Sequence, residues 1–141
     1  TKHVFIVMNT TPPRKNLQEN LTPVLQKIKS VYIFWYSIYH IVPKIHRYTL
    51  ALKIDSLFIE LIEMSASASF VQKQDKLPYL RTAIRKLDTL KILLLVLWET
   101  RSVDTKKYEL LSVPLEEVGR MLGGWLGQAE KQNSPIQGEK F

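Results

Sequence analysis

Between Pro114 and Leu126 the apolar residues Leu115, Val118, Leu122 and Trp125 recur at intervals of three, four and three. That period lines them up on one narrow stripe of an α-helix, and such a stripe is buried by packing on other helices. Gly119, Gly123 and Gly124 sit inside the same segment, each costing about 0.8–1.0 kcal/mol relative to alanine. Gly119 and Gly123 lie one turn apart, so the spacing predicts close approach of a backbone or a large ring at that face. A chain with this segment is committed to helix-on-helix packing.

The rest of the chain reads the same way. Thr22-Pro23 has the form of a helix cap followed by proline at the first helical position. No further proline or glycine intervenes before Pro43, which predicts a first helix over 23–42, roughly 30 Å long. Leu25, Ile28, Tyr32, Trp35, Tyr39 and Val42 form one stripe of it, and Val24, Val31, Phe34, Ile38 and Ile41 a second. Together they cover roughly 200°, about twice the arc that one core needs. The excess predicts a subunit contact through Val31, Phe34, Ile38 and Ile41. A β-strand over 31–42 is the rival, but spacing and length favour the helix.

A second helix is expected from about Lys44 to about Ser69, with Leu50, Ile54, Leu57, Leu61 and Met64 inward and a small-residue end at 65–69. A polar connection over 70–77 precedes Pro78, which opens a third helix carrying Leu80, Ile84, Leu87, Leu90, Leu94 and Leu97 inward. The run from Ile92 to Trp98 is apolar all round, placing Leu93, Leu95 and Trp98 against a second subunit. Ser102 to Thr105 offers two caps for a fourth helix, which Pro114 should kink or split. From Gly127 onward the composition turns polar, predicting a disordered tail. The organisation is therefore a flexible arm (1–21), an up-down-up-down four-helix bundle (22–128) and a tail (129–141), all-α throughout.

Chemistry is harder to find. The 141 residues include no cysteine, which removes disulfides and thiolate metal sites and suits a reducing cytoplasm. The longest apolar run is seven residues, against the roughly 20 that span a bilayer. The opening Thr1 to Val7 lacks the long apolar region of a signal peptide, and Met8 is an alternative start. His3, His40 and His46 have no carboxylates at ligand spacing, and neither a phosphate loop nor a nucleophile elbow occurs. Gly124 to Gly127 matches Gly-x-x-Gly, but inside or just after a helix instead of in a loop. No catalytic residue, metal site or cofactor is expected, and an enzyme is not.

The net charge of +7 points to an acidic partner, nucleic acid first. Lys44 and Arg47, then Arg81, then Lys106 and Lys107 fall in the first turns of predicted helices. Cations there oppose the helix dipole by about 0.3–1 kcal/mol each when exposed, and free N–H groups beside them suit phosphate. Arg81 and Arg85, one turn apart, share a face. Lys86, Lys91 and Arg120 complete the expected contacts. The alternation of helices puts Lys44, Arg47, Arg101, Lys106 and Lys107 at one end and the bases of 73–86 at the other; either end could meet RNA. The competing reading is plain solvation of polar faces, and a membrane-surface role rests only on Val4-Phe5-Ile6-Val7.

One resemblance runs through these segments. Gly119-Arg-Met-Leu-Gly-Gly-Trp125, Pro43-Lys-Ile-His-Arg-Tyr-Thr-Leu50, Lys76-Leu-Pro-Tyr-Leu-Arg81 and Leu87-Asp-Thr-Leu-Lys91 resemble the accessory variability determinant (Avd) proteins of diversity-generating retroelements. The resemblance extends from about Thr22 to Gln128. It implies a bundle assembling as a barrel-like homopentamer that binds a reverse transcriptase and its template RNA, or an RNA/DNA hybrid, in mutagenic copying. The same family includes structural bundle proteins encoded within ribosomal RNA genes, which is the alternative.

Overall fold

A computed structural model of the chain describes residues 20–133, and these are helical without any strand. Helix α1 (Pro23–Ile38) runs into a 3₁₀ turn (Tyr39–Ile41) and a one-turn helix α2 (Lys44–Arg47). Helix α3 (Leu50–Phe70), a second 3₁₀ turn (Lys73–Asp75), α4 (Lys76–Glu99) and α5 (Thr105–Gln132) follow. The arm expected over 1–21, apart from its last two residues, and most of the expected tail lie outside the described residues.

Local chemistry explains each boundary. Thr22 Oγ1 accepts a hydrogen bond from the Leu25 N–H at 3.4 Å, with Pro23 in the first turn. At the other end Pro43 holds Val42 extended (φ −61°, ψ 132°), so α1 tightens into the 3₁₀ turn before reaching Val42. The second expected helix is interrupted at Tyr48–Thr49. In a continuous helix the Arg47 carbonyl would accept from Ala51; instead Tyr39 OH donates to it at 2.7 Å. The Arg47 guanidinium also donates to the His40 and Val42 carbonyls, at 3.1 Å each. These bonds tie α2 back onto the preceding turn and release α3 in a new direction.

Two expectations for the last helix are overturned. Pro114 does not split it: α5 is one helix, and the carbonyl that proline deprives of a donor belongs to Leu110, a residue 47% exposed. Leu111, Leu115 and Val118, on either side of Pro114, are all buried in the one core. Nor does the helix stop before Gly127. Ala129 is 1% exposed, Glu130 pairs with Arg81, and the Asn133 side chain donates to the Ala129 and Lys73 carbonyls at 2.9 and 3.1 Å. Tertiary contacts outweigh the polar composition that predicted a tail.

Helix α1 packs on α3 and α5, and α4 packs on the same two. Between α4 and α5 the pairs Arg81–Glu130 and Lys91–Glu116 show neighbours running in opposite directions. Most of the expected inward residues form the core, while Tyr32, Tyr39, Leu50, Met64, Ile84, Tyr108 and Trp125 are half-buried at its edge. Trp35, 0% exposed, stacks on Phe58 with centroids 6.1 Å apart and meets Tyr39 edge-on at 5.6 Å. The small end of α3 serves close packing, with Ser65 and Ala68 fully buried.

The expected subunit contact needs correcting. Val31 and Ile38 are 4% and 5% exposed and belong to the protomer's own core, because α1 is embraced by two helices and not one. Phe34, Leu93 and Trp98 are half-buried against that core, whereas Ile41 and Leu95 are exposed. The apolar surface that remains open includes Ile33 and Tyr36 on α1, Leu52 and Ile59 on α3, and Ile92 and Val96 on α4. The glycine expectation also fails within the protomer. A Cβ on Gly119 would meet Leu87 at an ordinary 3.5 Å, and one on Gly123 or Gly124 would meet nothing within 4 Å.

Candidate nucleic-acid interface

The nine basic residues expected to contact nucleic acid divide into two groups by what already holds them. Arg81 pairs with Glu130 at 3.3 Å, Lys86 with Glu60 at 3.1 Å, and Lys91 with Glu116 at 3.4 Å. Each pair bridges two helices. Lys107 is bound twice to Asp104, through its backbone N–H at 2.8 Å and its ammonium at 3.1 Å. Arg47 is the pin described above. Arg85 donates to Thr82 Oγ1 at 3.1 Å within its own helix.

Lys44, Lys106 and Arg120 have no ion pair among the described residues. Lys53 and Arg101, both exposed, are in the same state. The structure therefore brings the expected cations onto two surfaces. One is the end formed by α2 and the α4–α5 turn, with Lys44, Arg101 and Lys106. An open cleft of about 760 Å³ there joins Ile41 to Trp98, Arg101, Ser102, Thr105 and Lys107. The other is the α4–α5 flank, with Arg81, Arg85, Lys91 and Arg120, where the exposed Gly123 and Gly124 leave helix backbone uncovered.

Helix starts are less available to phosphate than the sequence implied. The N-terminus of α5 is capped by its own Asp104, whose carboxyl is held below its ordinary value by hydrogen bonds from the Lys107 backbone and side chain. Lys76, at the start of α4, turns back to the end of α3. Its ammonium donates to the Ala68 and Val71 carbonyls and lies 5.6 Å from the Trp125 ring centroid. There it complements the negative end of the α3 dipole, so its charge is favourable after all. Arg101, expected at the same basic end as Lys106 though not named as a contact, carries a conformational signal as well, a φ of 61° in a non-glycine residue.

A second concavity carries different chemistry. A groove of about 540 Å³ between α1 and α3 is lined by Tyr32, Tyr36, Ser37, Tyr39, His40 and Asp55. Tyr32 OH donates to Asp55 Oδ1 at 2.8 Å and Trp35 Nε1 to the same oxygen at 3.2 Å. Burial first, and the neighbouring Asp55 next, push the Tyr32 hydroxyl up to about 12, so it remains a donor at all ordinary pH. Sequence reasoning passed over this groove because its residues come from two helices, with Asp55 16 or more positions from the tyrosines it joins.

Among the described residues no group of three or more His, Asp or Glu side chains is placed to hold a metal ion. No helix among them is long and apolar enough to cross a membrane. The family model for bAvd-like proteins matches residues 23–129. No curated protein and no solved structure gives a match.

Proposed function

The chain belongs to the bAvd-like family, and from that premise we propose that it is a non-catalytic accessory protein of a diversity-generating retroelement. In this reading it is a cytoplasmic, up-down-up-down four-helix bundle that assembles as a ring, a homopentamer by resemblance. It binds a reverse transcriptase and its template RNA, or the RNA/DNA hybrid, and supports mutagenic cDNA synthesis. The observation that carries it is the extent of the family match, which takes in α1, α3 and α4 and α5 as far as Ala129.

Two features support the RNA part. Among the described residues Lys44, Arg101 and Lys106 have no carboxylate partner at one end, and Arg120 has none on the α4–α5 flank. In a ring each such cation repeats around the axis, and phosphate contacts add along a strand. The apolar residues left open on α1, α3 and α4 supply material for subunit contacts.

Binding of template RNA followed by fluorescence anisotropy tests this reading. Affinity should fall steeply with salt, and Arg81→Ala with Arg85→Ala, or Lys106→Ala with Arg120→Ala, should weaken it while light scattering shows the oligomer intact. The second pair should matter more, because Arg81 is already neutralised by Glu130. Absent or salt-insensitive binding overturns the proposal. A gene neighbourhood inside a ribosomal RNA operon, without a reverse transcriptase gene and its paired repeats, would favour the structural branch of the family.

A further inference from the structure

We propose that the groove between α1 and α3 receives an arginine side chain from a partner polypeptide. Its one acid, Asp55, is used on one side only. Tyr32 OH and Trp35 Nε1 both donate to Oδ1, while Oδ2 takes no hydrogen bond from the described residues and is not among the oxygens shut away from solvent. The carboxylate is thus fixed in orientation by two donors and keeps a second oxygen, not shut away from solvent, at a groove that Asp55 helps to line.

Tyrosines line the same groove as that carboxylate. Tyr36 is 71% exposed, and Tyr39, three residues on, is half-buried and tied through its hydroxyl to the Arg47 carbonyl. Tyrosine rings attract a cation to their faces. A guanidinium is flat enough to lie on such a ring while its N–H groups reach a carboxylate in plane. A groove of about 540 Å³ accommodates the head group and its methylene stem. Among the described residues no lysine or arginine lines it, and the nearby Arg47 is spent on the His40 and Val42 carbonyls.

The groove is therefore an acidic, aromatic spot on a chain of net charge +7. A nucleobase could offer an amino group to the same oxygen. It would also bring phosphates up to a carboxylate that no lysine or arginine in the lining offsets, and that disfavours it. The inference deepens the proposed function by giving the chemistry of the protein partner's contact, and it rests on that reading only for who supplies the arginine.

The Trp35 indole N–H reports directly on Asp55, so the test is nitrogen-15 NMR of the full chain titrated with L-argininamide. The Trp35 cross-peak is assigned by elimination with Trp98→Phe and Trp125→Phe. A saturable shift of that peak is expected, with lysinamide weaker and with Tyr36→Ala weakening argininamide by about threefold or more. Asp55→Asn keeps an Oδ1 acceptor for Tyr32 and Trp35 but turns the free oxygen into an amide donor. It should keep a single hydrogen-bonded indole peak at its own position, abolish the response of that peak to argininamide and leave RNA affinity unchanged. No saturable shift, an equal response in Asp55→Asn, or a response to guanosine monophosphate at lower concentration than to argininamide overturns the inference. Failure of the wild-type chain to bind RNA would instead count against the proposed function and leave an argininamide response standing.

Discussion

Replacing Arg101 with glycine should make the protein more stable. Helix α4 ends with the Ser102 N–H on the Leu97 carbonyl at 3.0 Å and the Arg101 N–H on the Trp98 carbonyl at 2.9 Å. This is the Schellman arrangement, which forces the residue after the cap into the left-handed region, where glycine is usual. Arg101 adopts it with φ at 61°. A side chain in that conformation costs about 1–2 kcal/mol. Glycine forfeits roughly 0.5–1 kcal/mol through its freer unfolded chain, leaving a net gain of about 0.5–1 kcal/mol. With a urea m-value of about 2 kcal/mol/M, the midpoint of Arg101→Gly should rise by about 0.3–0.5 M. Arg101→Ala is the control, since it removes the same exposed side chain and keeps the strain. Unfolding at one fixed protomer concentration removes the contribution of self-association. A midpoint for Arg101→Gly at or below that of Arg101→Ala would refute the strain argument. RNA affinity should drop equally in the two variants, because both lose the cation.

Three other outcomes follow from the same geometry. Ser65 Oγ is buried without a hydrogen-bond partner, so Ser65→Ala should stabilise by about 1 kcal/mol, read as a higher melting temperature; a lower one would mean that the hydroxyl is satisfied. Gly123→Ala with Gly124→Ala should add roughly 1–2 kcal/mol to the protomer, since added methyls meet nothing within 4 Å; loss of the oligomer in light scattering would show that those glycines face another subunit. Hydrogen bonds from the Lys107 backbone and side chain hold the Asp104 carboxyl below its ordinary value, so its contribution is complete above the unfolded value and is lost as pH falls through the lower folded one. Melting temperatures from pH 6 down to pH 3 should therefore decline more steeply for the wild type than for Asp104→Asn, and parallel curves would contradict the assignment.

The long helices were legible because their signals are local: the Thr22-Pro23 start, the stop at Pro43, the Asp104 cap and the three-four spacing of Leu87, Leu90, Leu94 and Leu97. What periodicity could not convey is how many neighbours a helix has. The second stripe of α1 looked like surplus for another subunit, yet Val31 and Ile38 are consumed because α1 lies between α3 and α5. Breaks and extensions of helices were equally opaque. They depend on distant partners, such as Tyr39 taking the Arg47 carbonyl and Asn133 reaching Lys73. The basic residues were visible, but their pairing was not, since Lys91 and Glu116 stand 25 positions apart. The tyrosine groove needed two helices to exist at all.

Lys27, Arg81, Lys86 and Lys91 each clasp a carboxylate on a neighbouring helix. A phosphate settling on any of them must evict that carboxylate and undo a clip between helices. Nucleic acid bound along the flanks would thus loosen the scaffold that displays it, while a strand confined to Lys44 and Lys106 would leave every clip closed. Amide exchange along α4 and α5, measured with and without RNA, distinguishes a path that softens its host from one that merely rests on it.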